Sequence, residues 1–253
     1  MNQSAFLARV REAARAGRAF RVTHSDELAA PLPLARVDDR DLPARLAAEI
    51  EAVGGHAHRA SDWVDATVQL AQLLDRYQPR AALCWQGGAL GAVRLNDLLS
   101  ERNMRRIDYE SLHQLDPAEQ RRQILAADIG ITGVAAAVAE TGSLVMVGGT
   151  GRERVASLAP PVHVAVVAAN QILADLFDVF PGVDRGGHRA ADSSRAAEQP
   201  SAALAAQFDP AQMPSNLAFI TGPSKTGDLE LKLTTGVHGP GQWHVIVVRT
   251  PLP

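Results

Sequence analysis

One cysteine, Cys84, occurs in 253 residues. A lone thiol excludes a disulfide within the chain and an iron–sulfur cluster held by this chain's thiolates alone. Its place in the strand-like run "AALCW" predicts a buried, unreactive side chain. An excess of one charge is also missing. The 25 Lys and Arg stand against 28 Asp and Glu, a net of −3, so electrostatics favours neither nucleic acid nor an anionic membrane surface. Arg102, Arg105, Arg106, Arg121 and Arg122 cluster locally, but acidic residues follow each group, the pattern of solvated helix faces. No apolar run approaches the roughly 18–20 residues of a membrane span. The amino-terminal stretch lacks the charged, apolar, small-residue order of a signal peptide. A cytoplasmic protein with no membrane insertion is expected.

What remains is a chain 46% hydrophobic and 21% charged, enough for one large core or two modest ones. Phe6, Leu7, Val10, Ala13 and Ala14 recur at helical spacing and predict an amphipathic helix over residues 3–19. Pro31 and Pro33 break the stretch beyond it. "DLPARLAAEIEAVGG" restarts a helix, with Pro43 in its first turn and Gly54-Gly55 past its end. "HAHRA" predicts a short strand, and Ser61 or Asp62 caps a helix through Tyr77. "RAALCW", a glycine-rich turn, a helix to Leu99, a strand near Arg106–Tyr109 and a helix near Pro117–Ala127 continue the alternation. That rhythm predicts parallel βαβ units.

The second half changes character. "GVAAAVAETGSLVMVGG" predicts a hairpin turning at Glu140–Ser143. His163–Asn170 predicts a buried strand leading into a helix near Gln171–Phe177. Residues 181–200 have no strong period, "SAALAAQ" predicts a helix, and "SNLAFIT" and "WHVIVV" predict adjacent strands linked by a single short helix between the Gly222 and His238 loops. The fold class is therefore α/β, a mostly parallel twisted sheet flanked by helices. Residues 1–55 are expected to form a helical amino-terminal extension and residues 56–253 the α/β domain.

Ligands of open α/β sheets gather outside the carboxyl ends of strands. Four loops leave an apolar strand and turn Gly-rich or polar: Gln86-Gly87-Gly88, Glu140-Thr141-Gly142-Ser143, Gly222–Asp228, and Thr235–Pro240. Glycine admits positive φ and close backbone approach, while Ser224, Thr226 and a helix start at Asp228 suit an anion. Taken singly, each loop also reads as a plain turn or cap. Glu140 ends an apolar strand; in a cleft it would serve as general base, nucleophile or carboxylate ligand, and at a solvated turn as none of these. His163 opens a strand and His238 sits among glycines. No spacing among Glu140, His163, Asp228, Glu230 and His238 matches a metal motif, so no metal is expected. "GGTGRERV" and "GPSKTGD" both fail the phosphate-loop pattern. "CWQGGALGA" lacks the first glycine of a dinucleotide fingerprint, although Asp108 stands where a ribose-binding acid would.

"AETGSLV" (139–145), "SLAPPVHVAVV" (157–167), "GPSKTGDLE" (222–230) and "GVHGP" (236–240) occur in that order. Together they resemble the LUD domain family, in particular its lactate utilization C branch, over roughly residues 80–250. The resemblance implies a fold similar to the sugar-phosphate isomerase and CoA-transferase group. It also implies a part in oxidising L-lactate to pyruvate beside A- and B-type partners that carry the iron–sulfur clusters. This chain itself would carry no cofactor. The ligand implied is a small carboxylate or phosphate. The motif positions are Glu140, Thr141, Gly142, His163, Gly222, Pro223, Ser224, Thr226, Asp228, Glu230, His238 and Gly239, to which the loop reading adds Gly87 and Gly88. One departure is Lys225-Thr226-Gly227-Asp228 where Arg-Thr-Ala-Asp is expected; lysine keeps the charge without the two-pronged donor geometry. Two other functions stay open at this level. One is an isomerase or acyl/CoA-transferase using Glu140; the other is a sensor that binds without turnover.

Overall fold

The structure is a computed structural model, and it describes residues 3–17, 41–152, 154–179, 216–226 and 234–252. In chain order its elements are α1 (Gln3–Gly17), α2 (Leu42–Ala52), β1 (His56–Ala60), α3 (Trp63–Tyr77), β2 (Ala81–Cys84), α4 (Ala89–Ala92) and α5 (Leu95–Glu101). Next come β3 (Arg105–Ile107), α6 (Tyr109–His113), α7 (Pro117–Leu125), β4 (Ile129–Thr132), β5 (Ala136–Val138), β6 (Ser143–Gly148) and α8 (Val155–Leu158). The last are β7 (Val162–Ala168), β8 (Ile172–Leu173), β9 (Asn216–Ile220), β10 (Lys225–Thr226), β11 (Thr234–Thr235) and β12 (Gln242–Val248).

Helix starts follow side-chain chemistry. Asp41 accepts from the Ala44 amide at 3.0 Å and opens α2, with proline in the first turn. Asp62 accepts from the Asp65 amide at 2.8 Å and opens α3. Such caps contribute about 1 kcal/mol each. Asp108, the candidate ribose acid, is instead the cap of α6, in a reciprocal box with Ser111, and it pairs with Arg106 at 3.2 Å.

A six-stranded sheet in the order β1-β12-β7-β4-β2-β3 is parallel throughout. Its central strands β4 and β7 are buried along their whole length, which is why they read as continuous apolar runs rather than alternating ones. Strand β4, at the heart of this sheet, has no counterpart in the sequence reading. A second sheet, β8-β5-β6-β9, contains the expected hairpin: β5 and β6 are antiparallel. Its two faces separate by alternation. Ala137, Leu144 and Met146 join the main core, while Ala136, Val138, Val145 and Val147 pack with Leu173 and Val179 in a smaller cluster.

Two expectations are corrected. Residues 171–177 do not form an α-helix. Gln171 accepts from the Ala168 amide at 3.0 Å and donates to the Val134 carbonyl at 2.7 Å, which turns the chain into β8 beside β5. The strands flanking the Gly222 and His238 loops are not neighbours either: β9 belongs to the second sheet and β12 to the first. Between them β10 and β11 pair as an antiparallel ribbon. The helix expected at "SAALAAQ", the segment 181–200, Pro31 and Pro33, and the stretch after Thr226 holding Asp228 and Glu230 lie outside the described residues. Helix α2 buries Leu46, Ala47 and Ile50, and full burial of a large aliphatic side chain is worth about 1.5–3 kcal/mol. Among the described residues no helix is long and apolar enough to cross a membrane.

Candidate functional site

Glycine decides how closely the walls approach. In β4, Gly130 lies beside His163 of β7, and a Cβ on it would stand 1.8 Å from the Ala156 carbonyl oxygen. Only a residue without a side chain lets α8 lie down on the sheet there. Gly55, after α2, plays the same part for Trp243, whose ring atoms Cε3 and Cζ3 would meet an added Cβ at 2.3 and 2.7 Å. The benzo edge of that indole is thus pressed onto Gly55, and Nε1 lies on the opposite edge.

These contacts leave a cavity of about 320 Å³ at the amino edge of the parallel sheet. His163 and Trp243, partners in register on β7 and β12, lie side by side in its lining. Ser157 and Leu158 of α8 and the segment Phe219–Gly222 supply further walls, with Ser224, Lys225, His238 and Gly239. The two glycine-rich loops are tied to each other: the Ser224 amide donates to the Pro240 carbonyl and the Gly236 amide to the Ser224 carbonyl, both at 2.9 Å. The loop after β9 and the loop before β12 therefore form one wall although they start from different sheets.

His163 is fully buried, and burial pushes its pKa down to about 3, so the ring is neutral. Its Nε2 is 2.9 Å from Thr132 Oγ1, while Nδ1 has no hydrogen-bond partner among the described residues. Trp243 Nε1 is also buried and without a partner among the described residues. A buried polar group left unmet costs about 1–3 kcal/mol. On the other face of β12, His244 bonds His58 at 3.0 Å and the Tyr77 hydroxyl at 2.7 Å, and His56 stacks on it at 4.7 Å. Burial, then the neighbouring His58 and His56, push the His244 pKa down to about 3. Neither Trp243 nor the His56–His58–His244 group was singled out from the sequence. An alternating "HAHRA" strand facing "WHVIVV" was the available signal.

The structure thus gathers His163, Gly222, Ser224, His238 and Gly239 around one cavity, with Pro223 adjoining in the chain. Thr226 is half-buried in β10 and pairs with Thr234. Thr141 reaches the same region through hydroxyls: Thr141 to Ser143 and Ser143 to Thr221, each at 2.7 Å, with Thr221 in the cavity wall. Gly142, at φ +67°, seats its turn on α2, where an added Cβ would be 2.7 Å from the Glu49 carbonyl carbon. Glu140 is exposed on that turn and is not among the residues lining the cavity. Lys225 donates to the Val53 carbonyl at 2.7 Å, placing its charge at the carboxyl end of α2. Among the described residues no group of three His, Cys, Asp or Glu side chains is placed to hold a metal ion.

Gly87 and Gly88 lie elsewhere. With Trp85, Arg152, Gln171 and Leu252 they line a cavity of about 240 Å³ at the carboxyl edge. There the chain leaves β2 toward β3 and β4 toward β7, in opposite directions, which is the switch point of the sheet. Both glycines have positive φ, and no atom of the described residues lies within 4 Å of an added Cβ on either.

Fold and cavity together define an α/β domain whose parallel sheet carries a recess at each edge. The LUD domain model matches residues 44–248, and the chain belongs to the LUD domain family. It is 29% identical over 178 residues to a lactate utilization protein C of Halalkalibacterium halodurans, covering 70% of this chain and 66% of the relative. It is 30% identical over 133 residues to a lactate utilization protein C of an Exiguobacterium species, covering 53% and 49%. The matches thus span between about half and two thirds of these relatives' lengths. A crystal structure of a DUF162 family protein from Deinococcus radiodurans superposes with a TM-score of 0.51 at 21% identity, over 85% of this chain and 99% of that one. That likeness concerns the fold.

Proposed function

We propose that this protein serves L-lactate utilization, the oxidation of lactate to pyruvate. In this reading it holds a small anion in the amino-edge cavity while A- and B-type iron–sulfur proteins carry the electrons. The observation that supports it most is the meeting of three separated motif segments at one cavity: His163, Gly222–Ser224 and His238–Gly239. The names of the relatives supply the pathway. The single buried cysteine agrees with a division of labour in which the clusters lie on other chains.

Deleting the gene in a strain with no other lactate dehydrogenase is expected to abolish growth on L-lactate. Affinity capture from lactate-grown cells is expected to bring down iron–sulfur proteins. Normal growth on lactate would count decisively against the assignment.

A further inference from the structure

Two residues that line the amino-edge cavity carry polar atoms left unused by the described residues. Trp243 Nε1 and His163 Nδ1 are both buried and both unpartnered among the described residues, and their residues stand in register on adjacent strands. An indole N–H can only donate. The role of the imidazole comes from counting hydrogens at Thr132, a fully buried residue whose hydroxyl lies 2.9 Å from His163 Nε2. A proton on Nε2 would leave both the threonine hydrogen and the Nδ1 lone pair unmet. A hydroxyl donating to Nε2 puts the ring proton on Nδ1 and leaves one N–H to be satisfied. Fewer orphaned groups favour the second arrangement. Two buried N–H donors then lie on adjacent strands, in residues that line the cavity.

We propose that Trp243 Nε1–H and His163 Nδ1–H form a two-donor cradle for the carboxylate of a small carboxylic acid. This rests on the reading of the cavity given above and adds the recognising atoms and the ligand class. The two oxygens of a carboxylate accept several hydrogen bonds, and bonds to an ionised acceptor are the stronger kind. The two proposed donors are uncharged, since His163 is neutral; the Lys225 ammonium, also among the lining residues, donates to the Val53 carbonyl and keeps its charge. Two adjacent donors match the two oxygens of a single carboxylate. Ser224 and His238, also in the lining, are placed to meet the remainder of the ligand.

The test is a ¹H–¹⁵N spectrum of the whole chain titrated separately with sodium L-lactate, sodium pyruvate and inorganic phosphate. The Trp63 indole, held by the Pro251 carbonyl at 2.9 Å, is an internal control. Trp243→Phe keeps an aromatic ring of smaller size and removes the donor, which identifies its resonance. The expected result is a saturable downfield shift of the Trp243 indole proton with lactate or pyruvate and a still Trp63 signal. Affinity should fall roughly 10- to 100-fold in the phenylalanine variant. An unmoved Trp243 signal at saturating carboxylate, or a shift produced by phosphate at lower concentration than by carboxylate, overturns the proposal. The native spectrum decides this even where the variant fails to fold. Loss of growth on lactate together with an unmoved indole would remove the cradle and leave the pathway; a moved indole with normal growth would do the reverse.

Discussion

Acidification should destabilise this protein before most of its carboxylates are protonated. His163 and His244 are buried, neutral and held near a pKa of about 3, whereas an unfolded histidine titrates near 6.5. Below pH 6.5 the unfolded chain takes up protons that the folded chain refuses, so stability falls as pH falls. The contribution is complete above about pH 6.5 and drains away down to about pH 3. At pH 5 each ring costs about 2 kcal/mol relative to pH 8, close to 4 kcal/mol for the pair. His58, also lowered by burial and by His56, adds in the same direction. Typical domains have about 5–15 kcal/mol in total, so a loss of this size is large. Urea denaturation at pH 8, 6.5 and 5 at constant ionic strength measures it, with uptake of about two protons on unfolding at pH 5. His163→Asn and His244→Asn should each flatten the pH dependence by about half, whatever their effect on stability at pH 8. A free energy of unfolding that stays level between pH 8 and 5 would refute the reasoning.

Gly130→Ala drives a methyl group into the Ala156 carbonyl and must lift α8, so a loss of about 1–3 kcal/mol in chemical denaturation and weaker ligand binding are expected together. Glu140→Gln should leave carboxylate affinity within about twofold by calorimetry, because the side chain is exposed outside the cavity lining and loses little there. The Cys84 thiol, pushed up to about 12 by burial, should resist a disulfide reagent at pH 8 in the folded chain and react promptly in urea. Rapid labelling of the native chain would contradict that placement.

Much of the parallel sheet was legible because its strands and helices carry local signals. Asp62 before α3, Pro43 and Gly54 around α2, and the apolar runs of β7 and β12 each announce their state without help from the rest of the chain. Strand β4 did not. Ile129–Thr132 is four residues with a glycine inside, which reads as a break. The reason for that glycine is the carbonyl of Ala156, which no local pattern reveals. The site was legible to the same degree. His163, Ser224 and His238 stand out by type and by their loops, and the structure places them around one cavity. Trp243 reads as an ordinary apolar strand residue, and its interest comes only from an Nε1 that meets no partner among the described residues. Gly87 and Gly88 followed the rule of the carboxyl edge and are found there, whereas the loops carrying the other motifs close on the amino edge, because β12 is entered through the His238 loop. Topology made that difference.

The most direct measurement is a crystal structure of this chain grown with L-lactate or pyruvate. The account predicts a carboxylate bound at the amino edge, within hydrogen-bonding distance of Trp243 Nε1 and His163 Nδ1 and bounded by Ser224 and His238. A ligand found instead at the carboxyl edge beside Gly87 and Gly88, with both buried nitrogens still unpartnered, would contradict it.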